Sequence, residues 1–272
     1  MVPIALTIAG SDSGGGAGIQ ADLRTFAFHL VHGTCALTCI TAQNTLGVTR
    51  VDALPPEAVI AQIDAVVSDI GIQAAKTGML LNVEIIEAVA ARVSELNIPN
   101  LIVDPVMVSR TGARLISEDA IAALQRHLIP SACLVTPNRY EAQILSGIDI
   151  HTLNDMKIAA QKILDLGSRA VLVKGGGMTG LLKGIDVFAT GDTATGVTLL
   201  VLGDSSVDTR HTHGTGCTLS AAITANLALG KSLSVSVQDA KTYVTHALEH
   251  SLAIGSGQGP VGHFYPLLEQ AI

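Results

Sequence analysis

Tryptophan is absent from this chain, and aromatic residues fill only 3% of its 272 positions. Ala, Val, Ile and Leu must therefore build the interior. With 48% hydrophobic against 14% charged residues, they suffice for strands buried beneath helices. Basic blocks are missing as well: the net charge of −7 has no compensating Lys/Arg cluster, which excludes a nucleic-acid footprint. No apolar stretch approaches the roughly 18 residues of a membrane span. The start, MVPIALTIAGSDSGGGAG, carries no basic segment and runs straight into a strand pattern. No signal peptide is read, and a soluble cytoplasmic protein is expected. Four cysteines (Cys35, Cys39, Cys133, Cys217) are too few for a disulfide framework. The even spacing of Cys35 and Cys39 in a β-branched stretch predicts one shared strand face, where they pack as small hydrophobes. Cys133 reads as packing too.

Short apolar runs alternate with helical patterns throughout. IALTIAG (4–10), CALTCITA (35–42), IQAAKTG (72–78), LIVDPVM (101–107), CLVTPN (133–138) and AVLVKGGG (170–177) read as strands. Helices are expected over 17–30, 56–70, 83–97, 118–129, 154–167, 217–229 and 234–254, with Asn82 and Ser117 as caps and Pro56 in a first turn. GIDVFAT and VTLLVLG read as a β-ribbon. This order implies an α/β fold with a mostly parallel sheet and helices on both faces. No linker or repeat divides it, so 1–272 is read as one domain. Ligands of such sheets sit beyond the carboxyl ends of the strands. There the chain concentrates its polar and glycine residues, at 10–13, 43–44, 77–78, 104–105, 136–138 and 174–177.

Two glycine-rich stretches compete as anion sites. In GSDSGGGAGIQAD, Gly16, Gly18 and Ala21 fit a dinucleotide fingerprint, but the ribose-binding acid about 20 residues on is missing, because that strand ends in TAQNT. No P-loop motif occurs. In HGTGCTLSAAITANLALG, glycines precede a helix whose first N–H groups and dipole favour negative charge; an ordinary turn before a buried helix reads equally well. Asn138 and Glu141 in TPNRYE are either a capping box or a polar pair for metal and phosphate. Asp104 and Lys174, each ending a strand, are the remaining charged candidates. His211 and His213 form an H-x-H without an evident third ligand, so a metal site is not read there.

The ordered set IAGSDSGGGAGIQADL, TAQNT, KTGML, VDPVM, TPNRYEA, LVKGG and THGTGCTLSAA, closed by GPVGHFYPL, resembles the hydroxymethylpyrimidine/phosphomethylpyrimidine kinases of thiamine biosynthesis in the ribokinase-like superfamily. The resemblance implies a three-layer α/β/α fold, ATP and Mg²⁺ as cofactors, an aminopyrimidine alcohol and its phosphate as substrates, and a homodimer. It places Gly10, Asp22, Thr41, Gln43, Met79 and Val106 around the heterocycle, with the Gln43 carboxamide matching an amine beside a ring nitrogen. It places Lys174, Asp104, Asn138, Glu141 and Thr215 on the nucleotide, with Asn138 and Glu141 reaching Mg²⁺ through water. Gly214, Gly216 and Cys217 then face the migrating phosphoryl group. Cys217 stands where the superfamily's sugar kinases carry an Asp base, and a helix start lowers a thiol from about 8.5. Gly177 departs from the family's frequent His, and Arg110 and Arg114 are further phosphate candidates. A pyridoxal kinase, or a non-catalytic vitamin-binding protein on the same fold, are the competing readings.

Overall fold

The computed structural model describes residues 2–107, 115–192, 196–203 and 206–269. Arg110 and Arg114 lie outside the described residues. The chain runs β1 (Ile4–Asp12), α1 (Gly18–Phe28), β2 (His32–Gln43), β3 (Val48–Ala53), α2 (Pro56–Asp69) and β4 (Ala74–Thr77). It continues through α3 (Val83–Glu95), β5 (Leu101–Val103), α4 (Glu118–Ala123), β6 (Leu134–Val135), α5 (Arg139–Ser146), α6 (Leu153–Leu164) and β7 (Ala170–Val173). β8 (Asp186–Asp192) and β9 (Gly196–Leu202) precede α7 (Thr215–Ala228), α8 (Leu233–Glu249) and α9 (Tyr265–Glu269). In both units parallel strands alternate with helices, the expected α/β class.

The chain divides into two compact units. The first comprises residues 1–80, 97–100 and 207–272. Its strands follow the order β3-β2-β1-β4, with β1 parallel to β2 and to β4 and with β3 antiparallel on the edge. Five consecutive β1 residues, Ala5 to Ala9, are at most 1% exposed, as expected of a parallel strand covered on both faces. Helix α7 packs against α1, α8, β1 and β4. Every residue from Thr218 to Ala228 is buried, so this helix has no polar face. Its small side chains permit close approach, and its hydroxyls are absorbed locally. Thr218 Oγ1 donates to Gly214 O at 2.8 Å and Thr224 Oγ1 to Ser220 O at 2.7 Å.

The second unit, residues 81–96 and 101–206, carries parallel β5-β6-β7 followed by the antiparallel pair β8 and β9, the expected ribbon. The caps are those expected: Asn82 accepts from Ile85 N, and Ser117 from Ala120 N.

The structure differs from the sequence reading in several places, among them helix α5, which was not expected, and the helix expected over 118–129, whose α-helical part ends at Ala123. β3 also escapes that reading, because VTRVDA is exposed throughout and shows no apolar alternation. Helix α8 ends at Glu249 rather than near 254, and the short α9 follows unforeseen. Cys35 and Cys39 do not share a face. The β1–β2 register shifts so that Ala9 to Ser11 spans Leu37 to Ile40. This extra residue lies between the cysteines and reverses the alternation, leaving Cys35 half-buried and Cys39 fully buried.

Candidate active site

In the first unit, β1 delivers Asp12 into the centre of its own glycine loop. Oδ1 accepts from Gly14 N at 2.8 Å, and Oδ2 accepts from Gly16 N at 3.0 Å and Ala17 N at 2.8 Å. The amides that a pyrophosphate would need are already occupied by a carboxylate, which also repels phosphate; the dinucleotide reading fails on this geometry. Burial pushes the Asp12 carboxyl up, but the hydrogen bond from His213, those from the Ala17 and Gly14 amides and the pull of His213 outweigh it. The group lies below the ordinary carboxylate value.

Gln43 ends β2 and is clamped through its backbone: its N–H donates to Ser13 Oγ at 2.8 Å, and Ser13 Oγ donates back to its carbonyl at 2.7 Å. Its carboxamide meets His213 Nε2 at 3.2 Å on one side and Thr41 Oγ1 at 3.3 Å on the other. His213 Nε2 also lies 2.8 Å from Asp12 Oδ2. The sequence weighed His213 only as a metal ligand and missed this role. Asp12, though in plain view, drew no separate attention. His211 is engaged elsewhere, its Nδ1 accepting from Gly259 N at 3.0 Å.

The chain passes directly from His213 into Gly214, the N-cap of α7, at φ +81°. Only glycine fits here: the backbone is left-handed, and a Cβ would overlap the carbonyl oxygen of Gly16. The two glycine loops thus touch backbone to backbone. No side chain caps α7, which leaves its start suited to an anion. The Thr215 N–H already reaches Thr212 O at 3.3 Å. Cys217 sits in the first turn, partly exposed and outside any disulfide. Behind it, Thr218 Oγ1 lies 2.9 Å from Nε2 of buried His263, whose carbonyl accepts from Tyr243 OH at 2.7 Å. Burial, then the charge of Arg24, hold His263 down to about 4, so the ring is neutral.

Gly10 faces Cys39 Sγ and the Met79 methyl, which brings two expected heterocycle contacts together. Asp22 lies deeper. Its Oδ2 accepts from Lys76 Nζ at 2.9 Å and Thr7 Oγ1 at 2.6 Å, and both partners of this ion pair are fully buried.

The second unit gathers the remaining candidates. Lys174 Nζ meets Asp104 Oδ1 at 3.0 Å, and Thr136 Oγ1 donates to the same oxygen at 3.2 Å. Asn138 and Glu141 form a complete capping box at the start of α5. Glu141 Oε2 accepts from Asn138 N at 2.8 Å, and Oε1 from Met107 N at 3.4 Å. Burial pushes Glu141 up to about 7; Lys174 pulls it down and Asp104 pushes it further up. Val106, half-buried, follows Asp104 in a tight turn, its N–H donating to Asp104 O at 2.9 Å. Among the described residues no three His, Cys, Asp or Glu side chains converge on a metal. Both Glu141 oxygens already hold backbone amides, an arrangement compatible with a cation that keeps its own waters, as Mg²⁺ prefers.

The uncapped start of α7 is compatible with an anion and the Gln43 carboxamide with a hydrogen-bonding ring, while the Asp12-filled loop does not fit a dinucleotide. The class is a small-molecule phosphotransferase. The family model described as phosphomethylpyrimidine kinase matches residues 12–262. A hydroxymethylpyrimidine/phosphomethylpyrimidine kinase of Synechococcus elongatus is 63% identical, over 98% of this chain and 99% of that protein. A pyridoxine kinase of Bacillus subtilis is 42% identical, over 95% of both. Among solved structures, an ADP complex of Bacillus subtilis pyridoxal kinase superposes with a TM-score of 0.90 at 39% identity, covering 98% of this chain and all of that one. The chain belongs to the phosphomethylpyrimidine kinase family. Among the described residues, no helix is long and apolar enough to cross a membrane.

Proposed function

We propose that the chain transfers the γ-phosphoryl group of ATP to the hydroxymethyl oxygen of 4-amino-5-hydroxymethyl-2-methylpyrimidine, and then a second phosphoryl group to the monophosphate formed. The observation that carries this reading is the junction at His213: the residue that touches the Gln43 carboxamide leads directly into Gly214 and the uncapped start of α7. One short segment thereby serves both a ring reader and a phosphoryl cradle.

In the first transfer the alcohol oxygen attacks the γ-phosphorus, its proton passes to the Cys217 thiolate, and ADP departs with the bridging oxygen. In the second the acceptor is an already ionised phosphate oxygen, and no base is required. The amides of Gly214, Gly216 and Cys217 face the charge that grows on the migrating group, where positioning and electrostatics carry most of the catalysis. Thr215 contributes backbone shape more than a free donor. Within the first unit Gly10 and Met79 wall the ring, Thr41 steadies Gln43, and Asp22 supports them from within the core; the family resemblance adds Val106 to the ring's contacts. Lys174, held by Asp104, neutralises ATP phosphates. Asn138 and Glu141 would hold Mg²⁺ through its waters, and the ion would supply further neutralisation of the phosphates. The family match runs through both units, which supports one kinase domain over 1–272.

Phosphorylation of pyridoxine is the second reading, favoured by the relatives that carry that name. Mass detection of products, from each alcohol with ATP and Mg²⁺, separates the two. The aminopyrimidine should gain one and then two phosphates. A monophosphate from pyridoxine alone would replace the main reading.

A further inference from the structure

Two contacts share one nitrogen. His213 Nε2 lies 2.8 Å from Asp12 Oδ2 and 3.2 Å from the nitrogen of the Gln43 carboxamide. Asp12 is nearly fully buried, accepts three backbone N–H groups and is an ionised carboxylate, so it can only accept. The proton between Asp12 and the ring therefore sits on Nε2, whether the imidazole is neutral or charged. An Nε2–H cannot also accept from an amide N–H, so this face requires the carboxamide oxygen.

The opposite side gives the same count independently. The Thr41 hydroxyl has a single proton, and it goes to Ser11 O at 2.7 Å. Towards Gln43, 3.3 Å away, Thr41 Oγ1 can then only accept, which requires the carboxamide nitrogen. The two ends of a carboxamide have nearly the same shape, so a half-turn about its last torsion satisfies both neighbours without moving anything else.

We infer that His213 is a positioning residue that selects one of the two carboxamide orientations of Gln43 and thereby fixes the donor–acceptor order presented to the substrate ring. Asp12 holds the ring proton, the one His213 Nε2–H is shared as a three-centre donor between Asp12 Oδ2 and Gln43 Oε1, and Gln43 Nε2–H engages Thr41. One amide hydrogen and one oxygen lone pair remain for the ligand, in one order only. A free carboxamide would offer both orders and accept a heterocycle in either sense. The inference rests on the reading of Gln43 as the substrate's hydrogen-bonding partner.

Two measurements test it. In the unliganded wild type at pH 8, long-range ¹H–¹⁵N correlation reports which nitrogen of His213 bears the proton. Nε2 is expected; a proton on Nδ1 with bare Nε2 overturns the inference, whatever the substrate proves to be. In steady-state kinetics, His213→Phe should raise KM for the aminopyrimidine alcohol about threefold to tenfold, the loss of one hydrogen bond, while KM for ATP moves less than about twofold. His213→Gln, which returns an N–H near the Nε2 position, should recover most of that loss. In a Gln43→Ala background, His213→Phe should add nothing further, because the group it orients is gone. Independent, multiplying effects, or a change confined to KM for ATP, would overturn it. A wild type that ignores the aminopyrimidine defeats the functional reading, while the proton on His213 still decides this one; the kinetic arms then run on the accepted alcohol.

Discussion

Glu141→Gln should change how the stability of the protein depends on pH, in a calculable direction. The wild-type carboxyl is 2% exposed and pushed up to about 7 from 4.5, first by burial and then by Asp104, against the pull of Lys174. The folded chain therefore holds a proton there that the unfolded chain has already lost between about pH 4.5 and 7. Its contribution is complete below 4.5 and disappears as pH rises through 7, corresponding to about 3 kcal/mol over that window. His263 works the opposite way. Held down to about 4 from 6.5, it is neutral when folded, so its contribution is complete above 6.5 and is lost as pH falls through 4. Between about pH 4.5 and 6.5 the two slopes oppose each other in the wild type. Glutamine does not titrate, so Glu141→Gln should leave the rising slope of His263 exposed. Urea denaturation at pH 5, 6 and 7.5 reads this as a variant-minus-wild-type difference that climbs by about 3 kcal/mol with pH. A difference that stays level across the range would show that Glu141 is ionised in the folded protein and would refute the reasoning.

Cys217→Ala should reduce phosphorylation of the alcohol by about a hundredfold or more, the usual worth of a general base, while phosphorylation of the monophosphate falls far less; separate assays on the two acceptors check this, and equal losses would make the thiol a positioning group. Gly214→Ala places a Cβ on the Gly16 carbonyl oxygen in a left-handed backbone, so it should abolish turnover and cost about 1–3 kcal/mol or more by thermal denaturation. Lys76→Met leaves the Asp22 carboxylate buried beside an apolar chain and should cost about 3–5 kcal/mol; adding Asp22→Leu should recover much of it, since a buried pair is worth less than the penalty for breaking it.

The alternation of strands and helices was readable because buried parallel strands and amphipathic helices write their periods into sequence, and the caps at Asn82 and Ser117 follow from local hydrogen bonding alone. β3 was not readable, since an exposed edge strand is held by pairing with β2 rather than by any apolar alternation of its own. The reversal between Cys35 and Cys39 was hidden too, because a bulge depends on the register with β1. At the site, Asn138 and Glu141 carried two readings that are not exclusive: the capping box is formed, and it points a high-pKa carboxyl towards Lys174 and Asp104. His213 was visible but misjudged. Its partners, Asp12 and Gln43, lie about 200 and 170 residues away in sequence, and no local pattern announces such a contact.

The two glycine-rich stretches look alike on paper and do opposite things. An acid placed at the end of β1 closes the first one, since Asp12 takes the amides of Gly14, Gly16 and Ala17, and the loop becomes a rigid support with negative charge at its centre. The second keeps a helix start that no side chain caps. Gly214 then brings its backbone onto Gly16, so the closed loop becomes the floor of the open one. Negative charge below and an uncapped helix start above give the proposed function a direction: an incoming phosphoryl group would be held off the first loop and drawn to α7. The same Asp12 fixes the proton on His213. On the proposed function, a single carboxylate would thus sort the phosphate from one glycine loop to the other and, through one imidazole, set the face that meets the ring.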